Sequence, residues 1–244
     1  IWKGLVGSEM CIRDSSTGVT KNGLERALLN INDLPGISAV STIEPGVEEG
    51  SSKIVLNVVE DDLVSGNITL DNFGNRYTAK QRNTIKIDFN NPSKIGDKLS
   101  ITKTFNAGEK FDFTQFDYEV PVGQSGFKAF ASASRLDFEI GKELKTNPVS
   151  LGNADNFEVG VKYPIQRTNN QSVFLKTSIE KKEIYNETTG VLTNDKTLEN
   201  AKIGLDFEGK NIFQDSSLTG VSVSGIFGDL DLSKVNSDYL NDQR

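Results

Sequence analysis

Hydrophobic and polar residues alternate with a period of two along most of this chain, and the alternation begins at one place. Val64, Gly66, Ile68 and Leu70 are interleaved with Ser65, Asn67, Thr69 and Asp71, the pattern of a strand with one apolar and one polar face. Ile85, Ile87 and Phe89 then alternate with Thr84, Lys86 and Asp88. Between the two runs, Asp71-Asn72-Phe73-Gly74-Asn75 brings a glycine and two asparagines, residues that tolerate the positive φ of a chain reversal. The segment predicts a β-hairpin. From Val64 onward nine strands are expected, at roughly 64–72, 80–90, 97–106, 111–121, 126–139, 155–165, 172–185, 197–209 and 218–230. Several exceed the ~5 or 6 residues usual in soluble sheets, which favours strands that cross a membrane.

Upstream the period changes. Leu24, Ala27, Leu28 and Ile31 recur at three- and four-residue spacings and predict a helix over Thr20 to Asn32, with Asn22 as its N-cap and Leu34-Pro35-Gly36 as its stop. Two strands follow, Ile37 to Ile43 and Lys53 to Val59, joined by the turn-rich segment Pro45 to Gly50. The second is apolar at nearly every position, as expected of a strand covered by helix on one face and flanked by strands. The first, with Ser38, Ser41 and Thr42, reads as an edge. Glu60-Asp61-Asp62 forms a short acidic hinge into the strand region.

The segment LDNFGNRYT (Leu70 to Thr78), with LERALLNINDLPGI upstream and NPSKIGDKLSI downstream, resembles the outer-membrane transporters of two-partner secretion, the haemolysin secretion and activation family. That resemblance implies a mainly β protein: a partial α/β POTRA module over 16–62, then antiparallel transmembrane β-barrel strands over 63–244, an incomplete barrel. The helix and the two upstream strands correspond to the last three elements of a β-α-α-β-β POTRA module in the periplasm. In the resembled family the edge strand and helix of that module capture the secreted chain, so Leu24, Leu28, Ile31, Ile37, Val40 and Ile43 are candidates for a receptor groove. Their alternative role is the core of the module itself. The family's lumen-facing loop, with a VRGY-like motif, has no match here.

In a barrel, alternation assigns faces. Outward candidates are Leu99, Ile101 and Phe105; Phe157, Val159, Val161, Tyr163 and Ile165; Val173, Leu175 and Ile179; and Ile203, Leu205 and Phe207. The alternates Lys86, Asp88, Glu158, Lys162, Lys176 and Asp206 are expected to face a wet, charged lumen. Twice the phase slips, around Phe111 to Val120 and around Phe130 to Ile140, where a β-bulge in each strand or different strand boundaries would account for it. The longest connections, Gly141 to Ala154 and Asn186 to Lys196, are expected on the outer side, where barrels carry their longer loops.

Composition narrows the chemistry. No stretch approaches the ~18 consecutive apolar residues of a membrane helix. The formal charge of −7 with no clustered Lys or Arg argues against a nucleic-acid partner. With no His and one Cys, zinc sites, Cys-His nucleophiles and Ser-His-Asp triads lack their residues; no metal, cofactor or catalytic site is expected. The single Trp, Met and Cys, Trp2, Met10 and Cys11, all fall within Ile1 to Ser15. VGSEMCIRDS there looks like translated sequencing-adapter read-through, a short natural leader being the alternative, and 1–15 is set aside from fold reasoning.

The resemblance implies a pore that secretes or activates a haemolysin- or adhesin-like exoprotein across the outer membrane, with outer-membrane lipid as its second partner. An assembly factor that inserts other barrels shares the same plan. A passive porin leaves Leu24 to Val59 without a role, and a hydrolase lacks an organised nucleophile and base.

Overall fold

The Thr20 side-chain oxygen accepts the Gly23 N–H at 3.2 Å, which makes Thr20, and not the expected Asn22, the N-cap of helix α1 (Lys21–Asn32). The computed structural model describes residues 20–47, 52–108, 110–212 and 215–235; the adapter-like segment 1–15 lies outside the described residues. After Asp33 closes α1, Gly36 turns the chain at φ +68°, a conformation glycine adopts without steric cost. Strands β1 (Ile37–Pro45) and β2 (Ser52–Glu60) then pair antiparallel, and α1 packs against β1. Ala39, Val55 and Leu56 are buried there. Among the described residues β2 pairs with β1 alone; the first strand of the β-α-α-β-β plan, expected upstream, lies outside the described residues.

Nine further strands form a second, entirely antiparallel sheet: β3 (Val64–Asp71), β4 (Arg82–Asn90), β5 (Lys98–Phe105), β6 (Phe111–Pro121), β7 (Lys128–Glu139), β8 (Leu151–Arg167), β9 (Gln171–Thr188), β10 (Val191–Lys210) and β11 (Leu218–Asp231). Each pairs with its neighbours in sequence, and β3 and β11 stand at the two edges. The sheet is therefore a meander, open among the described residues.

Cross-strand register puts one row of side chains after another on a common face. One row runs Val64, Phe89, Leu99, Tyr118, Ala131, Val159, Ile179, Ala201 and Phe227. Neighbouring rows add Val161, Ile203, Tyr163, Leu175, Leu205 and Val223 to the same face. Apart from Ala131 and Ala201 these are large apolar residues, many of them exposed: Phe227 keeps 70% of its surface, Val223 67% and Ile179 63%. Beyond the belt, the same face becomes charged, with Lys103, Arg135, Asp155 and Glu183 in one row.

Three expectations are corrected. Strands β6 and β7 pair with all neighbours without a register shift, so no bulge explains their mixed phase. Phe111 and Phe113 instead share the polar face with Phe138 and Leu136, their cross-strand partners, while Phe116 and Tyr118 lie on the apolar face. The polar face is thus partly aromatic, and not uniformly wet and charged. The register shifts fall elsewhere, at Pro164/Gln166 and at Leu192/Asn194. The long loop expected at Asn186 to Lys196 is a tight turn: Thr189 and Gly190, at φ +53° and +78°, join strands of 18 and 20 residues, well beyond the ~9 to 11 needed to cross a bilayer.

The connection after β3 also differs from the expected turn. None of Asn72, Gly74 and Asn75 has a positive φ. Asp71 Oδ1 accepts the Phe73 N–H at 3.0 Å and Asn75 Oδ1 accepts the Tyr77 N–H at 2.8 Å, local turns that fold residues 72–81 into a loop. Gly74 is needed for close approach, since a Cβ there would run into the Ala79 carbonyl oxygen. The loop reaches across to the β7–β8 connection, where Gly141 N–H donates to Tyr77 O at 2.7 Å and Arg76 pairs with Glu143.

Candidate functional site

All six alternates singled out from sequence, Lys86, Asp88, Glu158, Lys162, Lys176 and Asp206, lie on the polar face, because strand register carries one parity of residues across β4, β8, β9 and β10. Asp88 takes Lys86 and Lys98, each at 3.6 Å, and the Ser100 hydroxyl. Lys202 bridges Glu180 at 3.0 Å and Glu158 at 3.6 Å. Asn200 Nδ2 donates to Glu180 at 2.9 Å, and Ser178 Oγ to Glu158 at 2.6 Å. Asp206 accepts Ser222 Oγ at 2.6 Å. Lys162 and Lys176 are held differently, over the rings of Phe174 at 4.1 Å and Phe130 at 4.5 Å. The result is a surface of fixed charges, Lys86, Lys98 and Lys202 held by carboxylates and Lys162 and Lys176 by aromatic rings, in a partly desolvated setting.

At one end of this face sits α1. Arg167, the last residue of β8, forms a two-point pair with Asp33 just past the helix, Nη2 to Oδ1 at 2.7 Å and Nε to Oδ2 at 2.9 Å. Lys128 at the start of β7 donates to the Asp33 carbonyl at 2.9 Å and pairs with Glu119 at 2.7 Å. Arg26 of the helix reaches the Pro164 carbonyl at 3.1 Å, and Glu25 accepts the Asn169 N–H at 2.6 Å. Glycines allow the close fit: a Cβ on Gly126 would meet Asn30 Oδ1 at 2.8 Å, and one on Gly96 would meet Leu34 at 2.9 Å. Helix α1 is clamped across the turns at the ends of β4, β6 and β8.

The β4–β5 turn that supports Leu34 is built on a buried carboxylate. Asp97 has no exposed surface; it accepts the Ser93 N–H at 3.1 Å and the Tyr118 hydroxyl at 2.9 Å. Burial pushes its carboxyl upward, but the hydrogen bonds from Tyr118 and Ser93 outweigh this and hold it below the usual 3.8.

The groove candidates separate into two groups. Leu24, Leu28 and Ile31 are half-buried along α1, with Ile37 half-buried on β1. Val40 and Ile43 are 65% and 63% exposed, and strand alternation puts them on opposite faces of β1. Along the edge, Asn32 intervenes: its side chain donates to Ala39 O at 2.9 Å and accepts the Ala39 N–H at 2.6 Å. Ala39 therefore points its backbone groups away from β2, and by alternation so do Ser41 and Ile43, whereas Val40 is turned toward Asn57 of β2. The edge is closed at Ala39 and open beyond it.

Sequence reasoning missed Asp33, Lys128, Arg167 and Asp97. Asp33 and Arg167 lie 134 residues apart, so no local period links them; the one signal was polar residues set at strand ends and beside the Leu34-Pro35-Gly36 stop. Among the described residues no group of three or more His, Cys, Asp or Glu converges to hold a metal ion, and no helix is long and apolar enough to cross a membrane.

Residues 50–223 match the family described as haemolysin secretion/activation protein ShlB/FhaC/HecB. The heme/hemopexin transporter protein HuxB of Haemophilus influenzae (strain 86-028NP) is 25% identical over 218 residues, 89% of this chain and 38% of that protein. The hemolysin transporter protein HpmB of Proteus mirabilis is 27% identical over 170 residues, 67% of this chain and 30% of that protein. Among solved structures, CdiB from Escherichia coli matches with a TM-score of 0.68 at 20% identity, over 83% of this chain and 38% of that one. CdiB from Acinetobacter baumannii matches with a TM-score of 0.64 at 15% identity, over 88% and 45%. The chain thus spans less than half the length of each of these proteins, and its fold is part of theirs.

Proposed function

We propose, for a chain that belongs to the haemolysin secretion/activation protein ShlB/FhaC/HecB family, that it supplies the pore wall and pore entrance of an outer-membrane transporter that secretes a partner exoprotein. Residues 63–244 contribute barrel strands, and residues 16–62 the end of a periplasmic POTRA module. The observation that carries this reading is the two-faced sheet. A belt of exposed apolar side chains on one face suits hydrocarbon, and a charged, internally paired face on the other suits a water-filled passage. In the completed barrel Lys86, Asp88, Glu158, Lys162, Lys176 and Asp206 line that passage.

Strand order supports an assignment of sides. β3 leaves the module at Val64, so the turns after β4, β6, β8 and β10 are periplasmic, and the long β9–β10 hairpin projects outside. The clamp of α1 on the turns at that end supports a position for the module at the pore mouth. An extended segment of the exoprotein adds to the open edge of β1 at Ser41 and Ile43, its backbone taking the free N–H and C=O groups, with Leu24, Leu28 and Ile31 behind it. The passage needs no chemistry on the cargo: its carboxylates Asp88, Glu158 and Glu180 are already paired with lysines and hold no strong site in which it would stick.

Single cysteines test the faces in the full-length parent transporter. Asp206→Cys should react with a charged, membrane-impermeant thiol reagent, and Leu205→Cys only with an apolar one. Equal reaction of both with the charged reagent would overturn the assignment of the faces. Secretion of a partner exoprotein by the full-length transporter is the readout of the function itself.

A further inference from the structure

The polar face holds a row of three lysines. Lys128 on β7 lies opposite Lys162 on β8, and Lys162 opposite Lys176 on β9. Like charges directly across a ladder repel, so a sheet selected only for stability would place a carboxylate or a neutral residue in the middle. Lys128 is occupied, by Glu119 and by the carbonyl of Asp33. The other two are not neutralised. Lys86, Lys98 and Lys202 on the same face each reach a carboxylate, whereas Lys162 and Lys176 rest on the rings of Phe174 and Phe130.

An aromatic face holds a cation in place without cancelling its charge, and it leaves the outward N–H donors of the ammonium unused. The seat is built. Gly160 lies under Phe130, and a Cβ there would meet the ring at 2.5 Å and Ser178 Cβ at 2.6 Å, so only glycine lets the ring lie where Lys176 covers it. The position is also specific. Lys162 stands two residues from Pro164, whose carbonyl receives Arg26 of α1, which puts the pair next to the helix clamp on β8 and β9.

We infer that Lys162 and Lys176 form a carboxylate-binding step at the pore entrance, engaging acidic side chains of the polypeptide as it passes from α1 onto the polar face. The inference rests on the reading of that face as the passage. Two ammonium groups side by side match carboxylates presented in succession by an extended segment, with charge-assisted hydrogen bonds to each. The neighbouring paired lysines have no such capacity, because their carboxylates compete.

The full-length parent transporter in planar bilayers provides the test, with a short poly-glutamate peptide added on the periplasmic side and block of the current recorded against peptide concentration. The double variant K162Q/K176Q should need at least ~10-fold more peptide for half-block, and K162R/K176R should block as the parent does, since the charge is kept. Heat-modifiable gel migration confirms that each variant is folded. Unchanged block in K162Q/K176Q overturns the inference; so does a shift confined to chloride selectivity, which would make the pair a site for small ions only. Labelling of Lys176→Cys by a charged thiol reagent separates the two levels. If it labels and block is unchanged, the carboxylate step alone is wrong; if it does not label, the passage reading falls with it.

Discussion

Asp33 and Arg167 meet as two parallel hydrogen bonds, 2.7 and 2.9 Å long, across 134 residues of chain. A guanidinium fork on a carboxylate fixes orientation as well as distance, and here it fixes the end of α1 against the end of β8. Both side chains are largely covered, 28% and 18% exposed.

Removing one partner should therefore loosen the helix without unfolding the sheet. Asp33→Ala is expected to cost about 1–3 kcal/mol, between the values for exposed and for fully buried pairs. Hydrogen exchange in the reconstituted parent transporter checks it: protection should fall along α1 and stay unchanged in the centre of β8 and β9. Arg167→Lys should behave like the alanine variant, because an ammonium cannot make the two-point contact. Uniform loss of protection in helix and sheet would mean that the pair supports the whole fold.

Asp97 gives the turn beneath Leu34 a pH dependence. Its pKa in the folded protein lies below the usual 3.8, so the carboxylate contributes stability at all pH values above 3.8, and that contribution is lost as pH falls below it. The protection factors of the Asn91 and Ser93 amides, taken against the slower intrinsic exchange at low pH, should therefore fall on acidification below pH 3.8, and Asp97→Asn should lower them already at neutral pH. A turn whose exchange ignores both changes would show that it is held by the Asn91 and Gly96 contacts alone.

The strands were legible because a period of two survives wherever one face is apolar. On β8, Phe157, Val159 and Val161 alternate with Glu158, Gly160 and Lys162. Where the polar face itself takes aromatic residues, as at Phe111 and Phe113, the pattern loses contrast, and a straight strand imitates a bulged one. The real shift at Pro164/Gln166 was hidden for the opposite reason: Ile165 continues the apolar alternation through it. Strand ends were unreadable on β8 to β10 because, past the belt, both faces are polar and alternation carries no signal. The clamp was unreadable because each of its contacts joins distant turns.

The apolar belt predicts asymmetric tolerance. Val161 and Ile87 lie on the belt face, and Lys86 on the other. Arginine at Ile87 or Val161 is expected to cost about 2–4 kcal/mol near the middle of the bilayer, while Lys86→Arg should fold into vesicles as well as the parent does. Urea titration of folding into lipid vesicles measures both. Similar losses at Ile87 and Lys86 would reject the faces.

The edge of β1 distinguishes two neighbours that sequence treats alike. Because Asn32 takes the Ala39 N–H, the N–H of Ser41 points away from β2 and that of Val40 toward it. Proline removes one donor wherever it stands. At Ser41 the lost donor is one the edge offers to a guest strand, so Ser41→Pro should weaken exoprotein binding about 5- to 10-fold, the size of one hydrogen bond, with the β1–β2 pairing intact. At Val40 it is a ladder bond of the protein's own, so Val40→Pro should lower the stability of the α/β unit as well. Binding of the exoprotein to the full-length transporter, together with hydrogen exchange at Asn57, reads the two effects apart. If Ser41→Pro binds as the parent does, capture does not run along this edge, and the exposed faces carrying Val40 and Ile43 are where the contact must be sought.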